Sequence, residues 1–319
     1  MASKPDPVAP SVRRPRYSLA CPGSLVTHPN ARQLPANYPM KLVMTLLVRN
    51  EADILATNIE YHLRRGVDFF IATDNLSKDG TRDVLEHYRK QNLLHLILEN
   101  DDDYSQSIWV TRMARMAAVD CQADWVINSD ADEFWWPEES DDLKKLLAEV
   151  PADIDALRVS RSNFVPMADA CSGSFIDTMT ARERESRNGC GDPLPPKVCH
   201  RGYHDITVAM GNHAVNRSDG PVTVGTAPLS IFHFPLRSFG QLALKISLGG
   251  AALERNENLG PGVGKVWRML YRKWQQGDLE AYYRDQSFTE ASLKTAIESQ
   301  HLVHDERLRN FMRESGDAD

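Results

Sequence analysis

The chain has 319 residues, 42% of them hydrophobic, enough for one large domain or one and a half around a substantial core. Its formal net charge of -7 excludes a general nucleic-acid or anionic-membrane binder, which would carry a basic surplus, and leaves room only for a local basic site for phosphate. Five scattered cysteines, Cys21, Cys121, Cys171, Cys190 and Cys199, are odd in number and lack Cys-X-X-Cys spacing, so neither a disulfide framework nor a structural zinc site is indicated. Cys190 and Cys199 with His200 and His204 match no recognised ligand spacing, and reduced cytosolic thiols are the simplest reading.

Residues 1–39 carry eight prolines with Arg13, Arg14 and Arg16 and no hydrophobic centre of the kind a secretory signal requires; they read as a poorly ordered Pro-rich segment. No run of about 18 apolar residues marks a transmembrane helix. Order is expected from Met40. Lys41 to Val48 is a buried-strand pattern closed by Arg49-Asn50-Glu51, and Ile54 to Leu63 has helical spacing up to Gly66. Val67 to Thr73 is a second strand that runs into the polar loop Asp74 to Thr81. A helix over Thr81 to Gln91, a strand over Leu93 to Leu98 and a helix over Trp109 to Val119 follow.

The apolar run Trp125 to Ile127 is a short buried strand that delivers Asp130, Asp132 and Glu133, followed by the aromatic block Phe134-Trp135-Trp136. Strands alternating with helices specify an α/β domain with mostly parallel strands and functional loops at their C-terminal ends, so the loops at Arg49, Asp74 and Asp130 converge on one rim. Asp130 and Asp132 are two apart, and an extended strand end would point both the same way. Two close carboxylates repel unless a proton or cation intervenes, and a hard divalent ion shared with substrate phosphates fits them.

Arg49-Asn50-Glu51, the loop Asp74-Asn75-Leu76-Ser77-Lys78-Asp79-Gly80-Thr81 and the block Asp130-Ala131-Asp132-Glu133-Phe134 together resemble glycosyltransferase family 2 enzymes of the GT-A type, in the bacterial branch whose Asp-X-Asp motif continues into Glu-Phe. The resemblance covers about residues 41 to 140, with a weaker echo to about 250. It implies a GT-A (Rossmann-like) α/β fold, with a mixed, mostly parallel sheet flanked by helices. It also implies a transferase that moves a sugar from a nucleotide-sugar donor to a hydroxyl of a glycan or related acceptor with inversion, using Mn²⁺ or Mg²⁺. Arg49, Asn50, Glu51, Asp74 and Asn75 are then nucleotide-binding, with UDP the favoured nucleotide. Asn75 stands where many relatives carry a second Asp. Asp130 and Asp132 are metal ligands, and Asp132 and Glu133 are the candidates for the catalytic centre. Lys197 and His213 match a Lys followed by Gly-X-His in the same branch, Lys197 for the diphosphate and His213 for the metal or diphosphate. Arg237, Ser238, Phe239 and Lys245 match a further Arg-Ser-Phe and Lys pattern.

Ala156 to Val159 is strand-like, and the polar stretch after it, with Asp169, Glu183, Glu185 and Asp192, is a plausible acceptor loop from which no one general base stands out. Pro228 to Pro235 reads as a strand in which His233 faces either the crevice or packed aromatics. Arg237 to Leu253 is a helix and closes the 40–253 domain. A helical extension, 254–319, follows, with a Gly-rich connector at 256–264 and helical spacing over Val266 to Tyr283 and Ser292 to Arg313. The stripe Trp267, Tyr271 and Trp274 has i, i+4, i+7 spacing, which packing explains before sugar stacking does. A nucleotidyltransferase is disfavoured because Arg49 to Asp53 lacks a Gly-rich triphosphate loop, and a non-catalytic binding protein because Asp130 and Asp132 are intact. The expected setting is cytoplasmic, soluble or peripheral to a membrane.

Overall fold

An apolar run without alternation is stable only between two layers, and the first strand shows it. In the computed structural model, which describes residues 40–102, 105–168, 173–256, 260 and 263–314, β1 (Leu42–Val48) is buried on both faces. Leu42, Met44, Leu46 and Val48 face one core with Ile54, Leu55, Ile59 and Leu85, while Val43 faces a second with Val110, Met113 and Ala117. The helices supplying those residues are α1 (Leu55–Arg64) and α2 (Thr81–Lys90) on one side and α3 (Gln106–Val119) on the other. The Pro-rich segment, Cys21, Asp169 and Cys171 lie outside the described residues.

Strands β2 (Phe69–Asn75), β3 (Leu94–Glu99) and β4 (Trp125–Ser129) pair in parallel with β1 in the order β3-β2-β1-β4. The other half of the sheet is mixed. It uses β5 (Glu133–Pro137), β6 (Ala156–Asn163), β8 (Lys197–Arg201), β11 (Val224–Gly225) and β12 (Leu229–His233), ordered β4-β8-β6-β12-β5, with β11 beside β6. β8 runs antiparallel to both β4 and β6, and β12 runs parallel to β6 and antiparallel to β5. Two small pairs stand apart: β7 (Ala181–Glu183) with β13 (Leu302–His304), and β9 (Ile206–Val208) with β10 (Val215–Arg217). The expected α/β class, a mostly parallel sheet flanked by helices, is what the structure shows.

The remaining helices are α4 (Leu143–Ala148), α5 (Phe175–Thr178), α6 (Phe239–Arg255), α7 (Lys265–Gln276), α8 (Leu279–Asp285), α9 (Glu290–Glu298) and α10 (Arg307–Arg313). Two long helical expectations divide. Val266 to Tyr283 breaks at Gly277, whose φ of 81° is a left-handed C-terminal cap, giving α7 and α8. Ser292 to Arg313 is interrupted by β13, because buried Leu302 pairs with Glu183. Two residues of the stripe on α7 pack on α6: a Cβ on Gly249 of α6 would lie 2.4 Å from Trp267, and one on Gly250 would lie 2.6 Å from Tyr271, while Trp274 is exposed and stacks on Tyr271. The C-terminal stretch returns to the domain, where Phe311 of α10 lies 3.8 Å under the guanidinium of Arg65 and 3.9 Å under that of Arg64.

Candidate active site

The chain leaves β1 and β4 carrying apolar side chains and enters polar loops at their C-terminal ends. A cavity of about 620 Å³ opens there. Arg49, Asn50 and Glu51 after β1, Asn75 at the end of β2, and Asp130 and Asp132 after β4 line it, as do Lys197, His213, His233 and Lys245. Asp130 and Asp132 occupy the turn between β4 and β5 and are not strand residues as expected. The block after them forms β5, with Phe134 and Trp135 buried.

Each acid of the motif meets its own ammonium. Asp130 Oδ2 accepts from Lys197 Nζ at 2.6 Å, and Asp132 Oδ2 accepts from Lys245 Nζ at 2.9 Å. Burial alone would raise the Asp132 carboxyl, but the charges of Lys245 and Arg237 outweigh it and hold it well below the usual range. Asp130 is held low in the same way, burial being overcome by Lys197. Both acids are therefore anionic at neutral pH. Lys197, on β8, is only 1% exposed and reaches Glu133 at 3.0 Å as well as Asp130.

Glu133 is fully buried behind the motif and does not line the cavity; besides Lys197 it pairs with Arg161 at 3.3 Å and accepts from the Asp130 backbone N–H at 3.2 Å. Its contacts hold the turn. Glu51 accepts from Arg237 at 2.5 Å and Lys245 at 3.0 Å, tying α6 to the end of β1. Arg49 pairs with Asp102 at 2.6 Å, and Arg255 of α6 pairs with the same carboxylate. Asn50 joins two loops: its Oδ1 accepts from Lys78 N–H at 2.8 Å and its N–H donates to Ser77 at 3.0 Å.

The residues expected at the second loop separate. Asp74 is fully buried, does not line the cavity, and accepts from Arg82 and from Ser77 N–H, each at 3.1 Å, so its carboxylate holds its own loop. Asn75 does line the cavity, with Nδ2 donating to Asp101 O at 2.8 Å.

The two cavity histidines have fixed tautomers. His213 Nδ1 is 2.9 Å from Pro196 O, and a carbonyl can only accept, so Nδ1 carries the proton and Nε2 is a free lone pair. The Gly-X-His spacing has a steric cause here: Gly211 has φ 73°, and a Cβ on it would lie 2.5 Å from His213 Nε2. His233 Nδ1 lies 2.8 Å from Asn163 Oδ1. The Asn163 amide is oriented because its Nδ2 donates to Glu183 at 2.9 Å and to Arg187 O at 3.0 Å. His233 Nε2 is thus also unprotonated, 3.8 Å from Asp132 Oδ1, and burial lowers its pKa to about 3.

The donor set fits a divalent ion in chemistry, two carboxylates and imidazole lone pairs on one cavity. Asp130, Asp132 and His213 do not bring three ligand atoms within 4.8 Å of one another; the trio that does so among the described residues is His204, Asp205 and Asp219, none of which lines the cavity. His233 is the residue near Asp132 that the sequence reading left between crevice and packing; its place at the end of β12, paired with Asn163 of β6, was the signal. Arg161 and Asn163, both on β6, had no sequence signal.

The model of glycosyltransferase family 92 matches residues 43–186. The match runs from β1 through the Asp130–Asp132 turn to β7. It names family 92, where the motifs had suggested family 2. No curated protein matches the chain. Among solved structures, residues 1–349 of TarS from S. aureus align at 13% identity over 76% of this chain and 89% of that one, with a TM-score of 0.38. The same TarS fragment in complex with UDP-GlcNAc aligns at 13% identity over 76% of this chain and 90% of that one, with a TM-score of 0.39. The mannosyltransferase PcManGT from Pyrobaculum calidifontis, in complex with GDP-Man and Mn²⁺, aligns at 13% identity over 82% of this chain and 76% of that one, with a TM-score of 0.36.

Proposed function

We propose that this protein is a metal-dependent glycosyltransferase of GT-A type that transfers a sugar, with inversion, from a nucleoside diphosphate donor to a hydroxyl of a glycan or related acceptor. UDP is the favoured nucleotide and the cytoplasm the favoured setting; no described helix is long and apolar enough to cross a membrane. The observation that carries the reading is the meeting of Asp130 and Asp132 with Arg49, Asn75 and Lys197 on one cavity at the C-terminal strand ends. The family 92 match, which covers Arg49, Asn75 and the Asp130–Asp132 turn, supports it.

Asp130 and Asp132 would hold Mn²⁺ or Mg²⁺, with His213 or His233 as the imidazole partner. When bound, the ion stabilises negative charge on the departing diphosphate. Lys197 and Lys245, which line the cavity beside the two acids, would offer ammonium groups to the diphosphate, and a preorganised donor of this kind is commonly worth ~3–4 kcal/mol in the transition state. Asn75, Arg49 and Asn50 line the side expected to take base and ribose. Glu133 keeps the turn and Lys197 in place and so supports the reaction from behind.

Calorimetric titration of UDP and GDP, each with and without Mn²⁺, tests this. Wild type is expected to bind one diphosphate at least tenfold more tightly with Mn²⁺, and Asp132→Asn to lose that gain while still unfolding in a single cooperative urea transition. Equal binding by Asp132→Asn and wild type would remove the motif from the site.

A further inference from the structure

We propose that Glu183 is the general base that takes the acceptor's proton. This rests on the glycosyltransferase reading above.

An inverting transfer needs a group on the acceptor side that is free to receive a proton, and the cavity acids divide on that point. Glu51, Asp130 and Asp132 each carry a cation within 3.0 Å, and a carboxylate so held is a weak base. Glu133 is sealed from the cavity, and Asp192, which also lines it, is solvent-exposed and held to Asn188 through its backbone, so its carboxylate is not aimed as Glu183 is. Glu183 lines the cavity and has no cation among the groups that set its pKa: burial raises it, and hydrogen bonds from Asn163, the Arg187 backbone and Ser186 draw it partly back. Raised and lowered carboxylates in one cleft are the pattern that separates acid–base roles.

Its placement is also fixed. Strand β7 is only three residues long, yet Glu183 pairs with Leu302 of β13 on one side, and the adjacent Arg182 bridges to Phe164 on the other. The side chain is aimed by Asn163, whose Nδ2 donates to Glu183 Oε2 at 2.9 Å while its Oδ1 accepts from His233, the residue 3.8 Å from Asp132. Two intervening side chains therefore connect Glu183 to the diphosphate end of the cavity. A base held by paired strands and an oriented amide meets the need for a supported catalytic geometry.

In the step, a lone pair of the acceptor hydroxyl oxygen forms the bond to the anomeric carbon. The bond from that carbon to the diphosphate oxygen breaks, and its electron pair leaves with the nucleoside diphosphate. The hydroxyl proton passes to the Glu183 carboxylate, which returns it to solvent. Nothing is oxidised or reduced.

The test uses the full chain with Mn²⁺ and UDP-glucose, UDP-GlcNAc and GDP-mannose in turn, following release of the diphosphate with water as acceptor and then with azide, an anion that has no proton to lose. Glu183→Gln is expected to slow release to water about 100-fold or more, to keep the affinity for the diphosphate within twofold, and to be accelerated by azide far more than wild type. Glu183→Asp, which retains a carboxylate, is expected to recover part of the rate. Water-dependent release by Glu183→Gln within threefold of wild type overturns the assignment, as does a loss matched by equal loss of diphosphate binding. A wild type that binds neither UDP nor GDP and releases neither overturns the parent reading, and this proposal with it.

Discussion

Lys197 shows what one buried cation does at this site. It is 1% exposed and lies between Asp130 and Glu133, sharing the Glu133 Oε1 oxygen with Arg161. Burial works against its charge, but the two carboxylates outweigh that and hold the ammonium above its usual range. Replacing Lys197 with Met removes the shared partner of two acids and leaves Glu133 buried on Arg161 alone. Breaking a buried pair from one side costs about 3–5 kcal/mol. Urea unfolding of Lys197→Met is expected to show a loss of that size together with loss of diphosphate binding; a variant as stable as wild type would mean that the acids relax to solvent.

At the scale of elements, α6 and α7 are joined by two glycines against two aromatic rings. Gly249→Val puts a branched side chain where Trp267 now lies, and overpacking of this kind costs about 1–3 kcal/mol. The expected result is earlier proteolytic cleavage between α6 and α7, with a changed tryptophan emission and an unaltered cut pattern before residue 240; unchanged cleavage would mean that the helices separate without penalty. The parallel half of the sheet was legible because Lys41–Val48, Val67–Thr73 and Trp125–Ile127 are apolar runs buried on both faces. Strands β7, β9 and β10 were not, since three residues show no period. Phe134-Trp135-Trp136 read as a block because a strand with aromatics on both faces does not alternate. The site followed the same division. Asp130, Asp132, Arg49 and Asn75 stand out as charged or polar residues where apolar strands end, and Lys197 was reached through the family resemblance. Asp74 has the same appearance, yet its carboxylate is taken by Arg82, eight residues on. Asn163 and Glu183 acquire meaning only through residues 20 or more positions away.

For the whole molecule, three buried histidines set the acid limit of stability. Burial lowers His62 to about 3, His200 to about 4 and His233 to about 3. An unfolded histidine takes its proton near pH 6.5. Below that, the unfolded chain binds protons that the folded chain refuses, so stability is full above about pH 6.5 and falls as pH drops toward 4. Each histidine contributes a slope of about 1.4 kcal/mol per pH unit. Urea unfolding at pH 7.5 and 5.5 should therefore show a stability falling with proton uptake by these three and, in the same direction, by His95 and His213, which burial also lowers. Asp130 and Asp132, held low, add to the loss only below about pH 4. A flat profile between those two pH values would show that the histidines are protonated in the folded state.

The paired arrangement of Asp130 with Lys197 and Asp132 with Lys245 has a thermodynamic consequence. On the proposed function, a cation arriving alone would have to displace the ammonium groups, and a diphosphate arriving alone would have to draw the same ammonium groups off their acids. With both present, the acids would pass to the metal and the lysines to the phosphates. The two ligands would then be positively cooperative, and linkage makes the effect reciprocal: the factor by which the metal tightened nucleotide binding would be the factor by which the nucleotide tightened metal binding.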